Sequence, residues 1–370
     1  MRVGRIAAML MLALLVGGGL LLGWRQLQRL MLTPSASASA VRIEVAPGST
    51  LRAVLADLQR RAVLPDARLV ELYLRLHRER PRIQAGRYEI AAHATPRQII
   101  QQLAEGRVLL ASLTVVEGWS VAQMRQALDS DPDVSHELAR LSDAQLMQAL
   151  GHAGEAAEGR FFPDTYWFAA GTSDRKLLAM AYDRMQRLLQ QDWSERAPDL
   201  PLQSRAQALT LASIIEKETA VPAERPMVAA VFVNRLRMGM RLQSDPTVIY
   251  GLGTRYDGSI HTRDLQTDTP YNTYTRAGLP PTPIALPGAA ALRAALHPAP
   301  TQALYFVATG EGSHHFSDTL AEQDVALRAY LQHLRQAHAQ PAAASGVHGG
   351  AAAHSSGSGT HTGGPPTDRS

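Results

Sequence analysis

From Ile6 to Trp24 the chain reads IAAMLMLALLVGGGLLLGW with no charge and no polar break, about the length one helix needs to cross a hydrocarbon core of roughly 30 Å. Thr33 to Ala40 (TPSASASA) has nothing to bury and predicts a small-residue linker. Val41, Ile43 and Val45 then alternate with polar residues as a short strand. Pro47-Gly48 turns the chain, and Ser49 or Thr50 can cap a helix carrying Leu51, Val54, Leu55 and Leu58. A second helix is expected from Ala67 to Arg78 and a second strand from Gly86 to Ile90. Thr95-Pro96 opens a third helix through Ile99, Ile100 and Leu103, stopped at Gly106. A strand from Leu113 to Val116, a tight Glu117-Gly118 turn and helical stretches lead into a larger, mostly helical region. Its Pro- and Gly-rich loops contain one clear strand, Leu304 to Val307. Beyond Gln340 the sequence is low in complexity and predicts disorder.

The expected fold is α+β: an N-terminal transmembrane helix, a small α+β subdomain, and a larger mainly helical catalytic domain with a few strands. The boundaries read as a cytoplasmic N-terminus at 1–5, an anchor at 6–24, a linker at 25–40, the small subdomain at 41–110, a connector at 111–158, the catalytic domain at 159–335 and a disordered tail at 336–370. Two short strands around helices resemble the LysM-type glycan-binding arrangement, with a spacer or docking module as the equal alternative. Arg2, Arg5 and the terminal amine precede the apolar run and Arg25 and Arg29 follow it, which tips the N-terminus slightly toward the cytoplasm. A cleaved signal peptide is the rival, since Ser35 to Ala40 could suit a peptidase. The uncleaved anchor is favoured because the apolar run exceeds the usual signal core of about 7 to 15 residues.

At 370 residues the chain is long enough for two folded domains, and 45% hydrophobic with 19% charged residues is ordinary globular composition. Its net charge of +4, from 37 basic and 33 acidic residues, is spread without a basic block, which argues against nucleic acid. The absence of cysteine excludes disulfides, thiolate metal sites and a cysteine nucleophile. No metal or cofactor is expected. The tail histidines His348, His354 and His361 are assigned no function.

Ser204 to Gln207 forms a capping box that opens a helix continuing through LTLASIIEKETA and ending by Pro222. At about 100° per residue Glu218 falls on the stripe of Leu211, Ile214 and Ile215, whereas Glu216 falls with Arg205, Leu209 and Ala212. A carboxyl on the apolar stripe loses solvent and its pKa rises, as a general acid at neutral pH requires. A structurally paired carboxylate is the plain alternative for Glu218, a surface ion pair for Glu216 and a solvated charge for Lys217. Pro226 opens the next helix, in which Val228, Val231 and Phe232 look like core. Gln243, Asp245, Tyr271, Asn272 and Tyr274 follow on loops and suit sugar recognition through amides and phenols. Loop-locking turns and core tyrosines are the alternative for each of these.

The stretch LASIIEKETAVPAERPMVAAVFVNRLRMGMRLQSDPTVIYGLG, then TPYNTYTRAGLPPTPIALPGAAALRAALHPA, LYFVATGEGSHHFSDT and the upstream EGRFFPDTYWF resemble the endolytic murein transglycosylases of the MltG (YceG-like) family. The resemblance runs from the anchor to about Leu334. It implies that the second glutamate of the Glu-Lys-Glu triplet, Glu218, is the catalytic acid, and that the chain has a single-pass inner-membrane anchor, a periplasmic bulk and a LysM-like subdomain. His314 matches the histidine of a GxHxF segment and is a further substrate-site candidate, with His315 at a variable position. Thr282 stands where the family has glycine in GLPPGPI, and Gln323-Asp324 where a His-Asn pair is common.

Such an enzyme cleaves the MurNAc-GlcNAc bond of nascent strands and leaves anhydro-MurNAc ends, terminating elongation. One glutamate protonates the bridging oxygen and then takes the proton of the muramic C6 hydroxyl as that oxygen attacks its own anomeric carbon, so no second protein carboxylate is required. The partners named on this reading are glycan strands, the inner membrane and peptidoglycan synthases. A hydrolytic muramidase, with Asp245 as the second carboxylate, and a non-enzymatic wall-binding scaffold remain the alternatives.

Overall fold

A computed structural model describes residues 2–339 apart from Pro47 and Glu311. The expected Pro47 turn and the tail from 340 onward, with His348, His354 and His361, lie outside the described residues. Among the described residues the fold is mainly helical with four two-stranded ladders.

Helix α1 (Arg2–Leu32) is the one described helix long and apolar enough to cross a membrane. It does not stop at Trp24 as expected. Arg25 to Leu32 continue it because Leu27 and Met31 insert into the core of the small domain and are buried there. The expected linker therefore shrinks, and even its remainder is tied down: Ser35 N–H donates to Ala94 O and His93 N–H to Ser37 O, both at 3.1 Å. Strand β1 (Val41–Val45) pairs antiparallel with β2 (Gly86–Ile90), so that Ile43 faces Tyr88 and their alternating partners point to solvent. Between and after them lie α2 (Leu51–Arg60), α3 (Ala67–Leu76) and α4 (Pro96–Glu105). Thr50, Asp66 and Thr95 cap these helices by accepting backbone N–H groups that would otherwise be orphaned. Helix α3 ends before the expected Arg78, which takes left-handed backbone at φ 54°.

Residues 111–158 are more than a connector. Strand β3 (Leu110–Thr114) pairs with β5 (Thr165–Ala169), and α5 (Val121–Ser130), the short β4 (Val134–Ser135), α6 (Asp143–Ala149), β6 (Thr172–Ser173) and the first half of α7 (Asp174–Ser194) close around it. Leu113, Met124, Leu146, Phe161, Tyr166 and Leu178 form a core of their own there. The third core gathers the second half of α7, α8 (Arg205–Glu218), α9 (Arg225–Arg237) and α12 (Ala289–Leu296), with α10 (Asp245–Leu252) and α11 (Thr262–Gln266) on its rim. A hairpin of β7 (Tyr305–Ala308) and β8 (His314–Ser317), where a single strand is expected, precedes α13 (Leu320–Ala339). That helix carries ordered structure into the first residues of the expected tail.

The second and third cores are joined where Gly118 N–H donates to Leu286 O and Leu286 N–H to Trp119 O, at 2.9 and 2.7 Å. Leu286 itself is buried in the second core. Beside this seam Gly159 adopts φ +80°, and a Cβ there would lie 2.5 Å from the ring of Pro283. Neither the backbone conformation nor the rigid ring accommodates a side chain. Gly159→Ala is expected to destabilise the protein by roughly 1–3 kcal/mol, read as a lower urea midpoint with an unchanged slope.

Candidate active site

Helix α8 positions the chemistry. Ser204 caps it by accepting from Gln207 N–H, but the expected reciprocal box is only half closed, because the Gln207 side chain accepts from Gln203 N–H instead. Every residue from Ala208 to Ile215 is buried. A helix packed on all sides has no solvent face, so the angular separation of Glu216 from Glu218 decides less than expected. Their partners separate them. Glu216 is not a surface pair: its side chain is only 5% exposed, one oxygen takes the Arg225 guanidinium at 3.1 Å and the other the Gly288 N–H at 2.9 Å. Burial pushes its pKa up, against both of these bonds.

Glu218 is the last residue of α8, and Thr219 turns extended after it. Its Oε1 accepts from the Ser244 hydroxyl at 2.5 Å, while among the described residues no hydrogen bond reaches Oε2. Burial drives its pKa up to about 7; the Ser244 bond, His314 and Arg235 pull against this and the Asp245 charge adds to it. The C-terminal end of a helix dipole likewise disfavours an anion.

Around this carboxyl the fold assembles residues far apart in sequence. Ser244 is held by its N–H donating to Thr273 Oγ1 at 3.0 Å and by the Thr247 hydroxyl donating to its carbonyl at 2.6 Å, all buried. Asp245 accepts from the Tyr274 hydroxyl at 2.6 Å, and burial together with this bond holds the phenol well above its ordinary pKa. Arg235, 7% exposed, donates to Leu304 O at 2.7 Å and Leu242 O at 2.6 Å, clamping the β7 end to the loop that carries Ser244. His314 lies on β8, where its Nδ1 meets Glu224 Oε2 at 2.6 Å and its N–H donates to Glu224 Oε1 at 2.8 Å. Burial alone would raise Glu224, but these bonds hold it below its ordinary value, so its carboxylate accepts and Nδ1 carries the proton.

Of the residues expected at the site, Glu218, Asp245, Tyr274 and His314 therefore converge. Gln243 is exposed beside them at φ 52°, with its N–H donating to Thr273 O. Asn272 and Tyr271 belong to the loop instead. Asn272 is 1% exposed, its amide donates among the carbonyls of Asp264, Leu265 and Thr267, and its oxygen accepts Tyr274 N–H. Tyr271 spends its hydroxyl on Thr282 at 2.7 Å and its ring on Tyr250. Ser244, Arg235 and Glu224 escaped sequence reasoning because their roles depend on partners 26 to 90 residues away. Among the described residues no group of three His, Asp or Glu side chains is placed to hold a metal ion.

The sequence profile of the YceG-like family matches residues 43–329, which takes in the whole of this arrangement. This chain belongs to the YceG-like family. It is 31% identical over 336 residues to an endolytic murein transglycosylase of Bacillus subtilis, an alignment covering 86% of this chain and 91% of that one. A Streptococcus pneumoniae protein of the same name is 26% identical over 353 residues, covering 86% and 63%. A solved putative yceG-like protein of Listeria monocytogenes is similar at a TM-score of 0.49 and 28% identity, covering 78% and 99%. In this YceG-like chain, Asn272→Ala is expected to cost about 3 kcal/mol by stranding several buried backbone groups, visible as a fall in unfolding free energy on urea titration.

Proposed function

We propose that this chain cleaves the MurNAc-GlcNAc bond of peptidoglycan strands as an endolytic lytic transglycosylase, with Glu218 as acid and then base. The observation that carries the reading is the Glu218 carboxyl itself: one oxygen held by Ser244, the other without a hydrogen bond among the described residues, and a pKa of about 7 that keeps a large protonated fraction at neutral pH. The relatives' shared name supports the substrate and the reaction type. Glu218 gives its proton to the bridging oxygen as the bond to the anomeric carbon breaks. The muramic C6 oxygen then bonds that carbon while its proton passes to Glu218, restoring the acid. The products are an anhydro-muramyl end and a free hydroxyl on the departing GlcNAc, and no water is consumed.

The strand is bound, on this reading, against exposed Gln243 and half-buried Tyr274 and His314, with the Nε2 of His314 left for substrate because Glu224 occupies Nδ1. The β1–β2 domain is read as a LysM-like glycan-binding module on its strand–helix arrangement. Helix α1 is read as an uncleaved single-pass inner-membrane anchor with a cytoplasmic N-terminus and a periplasmic bulk. Cleavage between Ser35 and Ala40 would remove Leu27 and Met31 from the small core, which favours retention. Peptidoglycan synthases, which make the strands in the same place, are the proposed partners.

One observation keeps hydrolysis as a second reading: Asp245 lies close enough to raise the Glu218 pKa and could serve as a second carboxylate. Mass analysis of digested sacculi decides between them, anhydro ends supporting the transglycosylase and reducing ends the muramidase. Glu218→Gln is expected to lose roughly 10²- to 10⁴-fold in cleavage while binding strands as before; near wild-type cleavage would refute the assignment. Cleavage should decline as pH rises above about 7, because the acid deprotonates there. Ser244→Ala should move that decline to higher pH, since it removes a bond that favours the charged form. The folded pKa of about 7 exceeds the ordinary 4.5, so the native state holds this proton more tightly than the unfolded chain. The associated stability is fully present below the unfolded pKa and lost as pH rises through 7. Glu218→Gln should therefore raise the melting temperature relative to the parent at pH 8, with the gap closing toward pH 5.

A further inference from the structure

Helix α3 is apolar on two faces. Val70, Tyr73 and Leu74 fill the small core, whereas Leu69, Leu72 and Leu76, spaced to fall on one stripe, are 38%, 45% and 54% exposed. This second stripe faces neither polar neighbours nor open surface alone: it forms one wall of a groove of about 880 Å³ whose other wall is α1, from Gly17 through Leu20 and Trp24 to Leu30. The two helices are pinned there, with the Trp24 ring stacked on His77 at 4.8 Å between centroids and Gln28 Nε2 at 3.2 Å from His77 Nε2.

From Ile6 to Arg25, at about 1.5 Å per residue, α1 spans roughly 30 Å, one hydrocarbon core. Trp24 then sits in the aromatic belt at the outer interface. The groove continues along α1 to Gly17, about 10 Å below Trp24 on the same rise, which matches the depth to which interfacial helices bury their apolar face. Exposed Arg25 and Arg29 on α1, Arg68 on α3 and Arg78 in the turn after it put positive charge near the stripe, while Arg75 is paired with Glu71 on α3 itself at 2.6 Å. Long basic side chains in that position reach phosphate headgroups while their stems cover apolar surface.

We infer that α3 is a membrane-contact helix: Leu69, Leu72 and Leu76 insert into the outer face of the bilayer that α1 crosses, and lipid acyl chains fill the groove between them. This rests on reading α1 as a retained membrane span. The small domain is then seated on the membrane by two elements, which fixes its tilt as one flexible tether could not.

The chain has no cysteine, so single substitutions can carry an environment-sensitive fluorophore in the full-length protein. Leu69→Cys, Leu72→Cys and Leu76→Cys would be compared with Val16→Cys inside α1 and Arg42→Cys on exposed β1. The probe is reconstitution into vesicles of phosphatidylethanolamine and phosphatidylglycerol with brominated acyl chains. The expected result is blue-shifted emission and loss by bromine quenching at 69, 72 and 76 comparable to that at 16, with neither at 42. Quenching at 16 but solvent-like emission at the α3 positions would overturn the proposal and leave the anchor standing. Blue-shifted but unquenched emission at α3 would overturn it in favour of a covering protein helix. Absence of quenching at 16 as well would overturn the anchor reading and the proposal with it.

Discussion

A helix buried on every side cannot end casually, because its last carbonyls and any charged residue in its last turn must find partners inside the protein. Helix α8 is buried on every side from Ala208 to Ile215, and its last turn carries Glu216, Lys217 and Glu218 in succession, of which Lys217 alone is exposed. Each is tied to a different part of the chain. Glu216 binds Arg225 at the start of α9 and the Gly288 N–H at the start of α12. Lys217 Nζ reaches Gly118 O at 3.3 Å, on the seam with the second core. Glu218 takes the hydroxyl of Ser244, the residue before α10. One turn of helix thus fixes the relative position of three helix starts and a neighbouring core, and the candidate acid is one of its three fastenings.

The same turn shows how two carboxylates of similar burial come to differ chemically. A desolvated carboxylate is tolerated when both oxygens are compensated, and removing one partner of such a pair is costly. Glu216 has a guanidinium on one oxygen and a backbone amide on the other, both opposing the rise that burial imposes on its pKa, so both oxygens are committed to fastening the fold. Glu218 has a single hydroxyl donor, with the negative Asp245 nearby offsetting what His314 and Arg235 contribute. Burial raises the pKa of Glu218, and incomplete compensation leaves that rise standing. Burial is the main cause of the raised Glu218 pKa, and Asp245, which adds to it, is itself steadied by Tyr274.

Local signals were legible in the sequence wherever the physics is local. The caps Thr50, Thr95 and Ser204, the alternation of β1 and β2, and the apolar run of α1 all correspond to observed elements. What was illegible is long-range. Nothing in the sequence singles out Arg225, which sits beside Glu216, or Arg235, which bonds to Leu304 and Leu242. Asn272 looked like a sugar-binding amide because a loop amide and a ligand-binding amide have the same composition. Only the three carbonyls around it tell them apart. The stretch after Trp24 looked like the end of a helix because Arg25 and Arg29 interrupt its hydrophobicity, yet Leu27 and Met31, four apart, supply the stripe that a folded core can grip.

That grip has a mechanical consequence for the site. Helix α1 enters the small core without a break, and the next joint is equally short. β2 is followed by α4 and then directly by β3, with Leu109 N–H donating to Arg87 O at 2.6 Å and Arg87 paired with Asp133 across the joint. Val108 packs on the small core, and a Cβ at Gly86 would collide with it at 2.6 Å. From β3 onward the chain lies in the second core, which the Gly118–Leu286 bonds and Lys217 fasten to α8. Every step from the apolar helix to Glu218 is therefore made through packed side chains or backbone hydrogen bonds. A tether of small residues would let the carboxyl sample a volume set by chain entropy. A succession of packed joints instead ties Glu218 back to the small domain that grips Leu27 and Met31 of α1, so its position relative to that domain is set by folded structure.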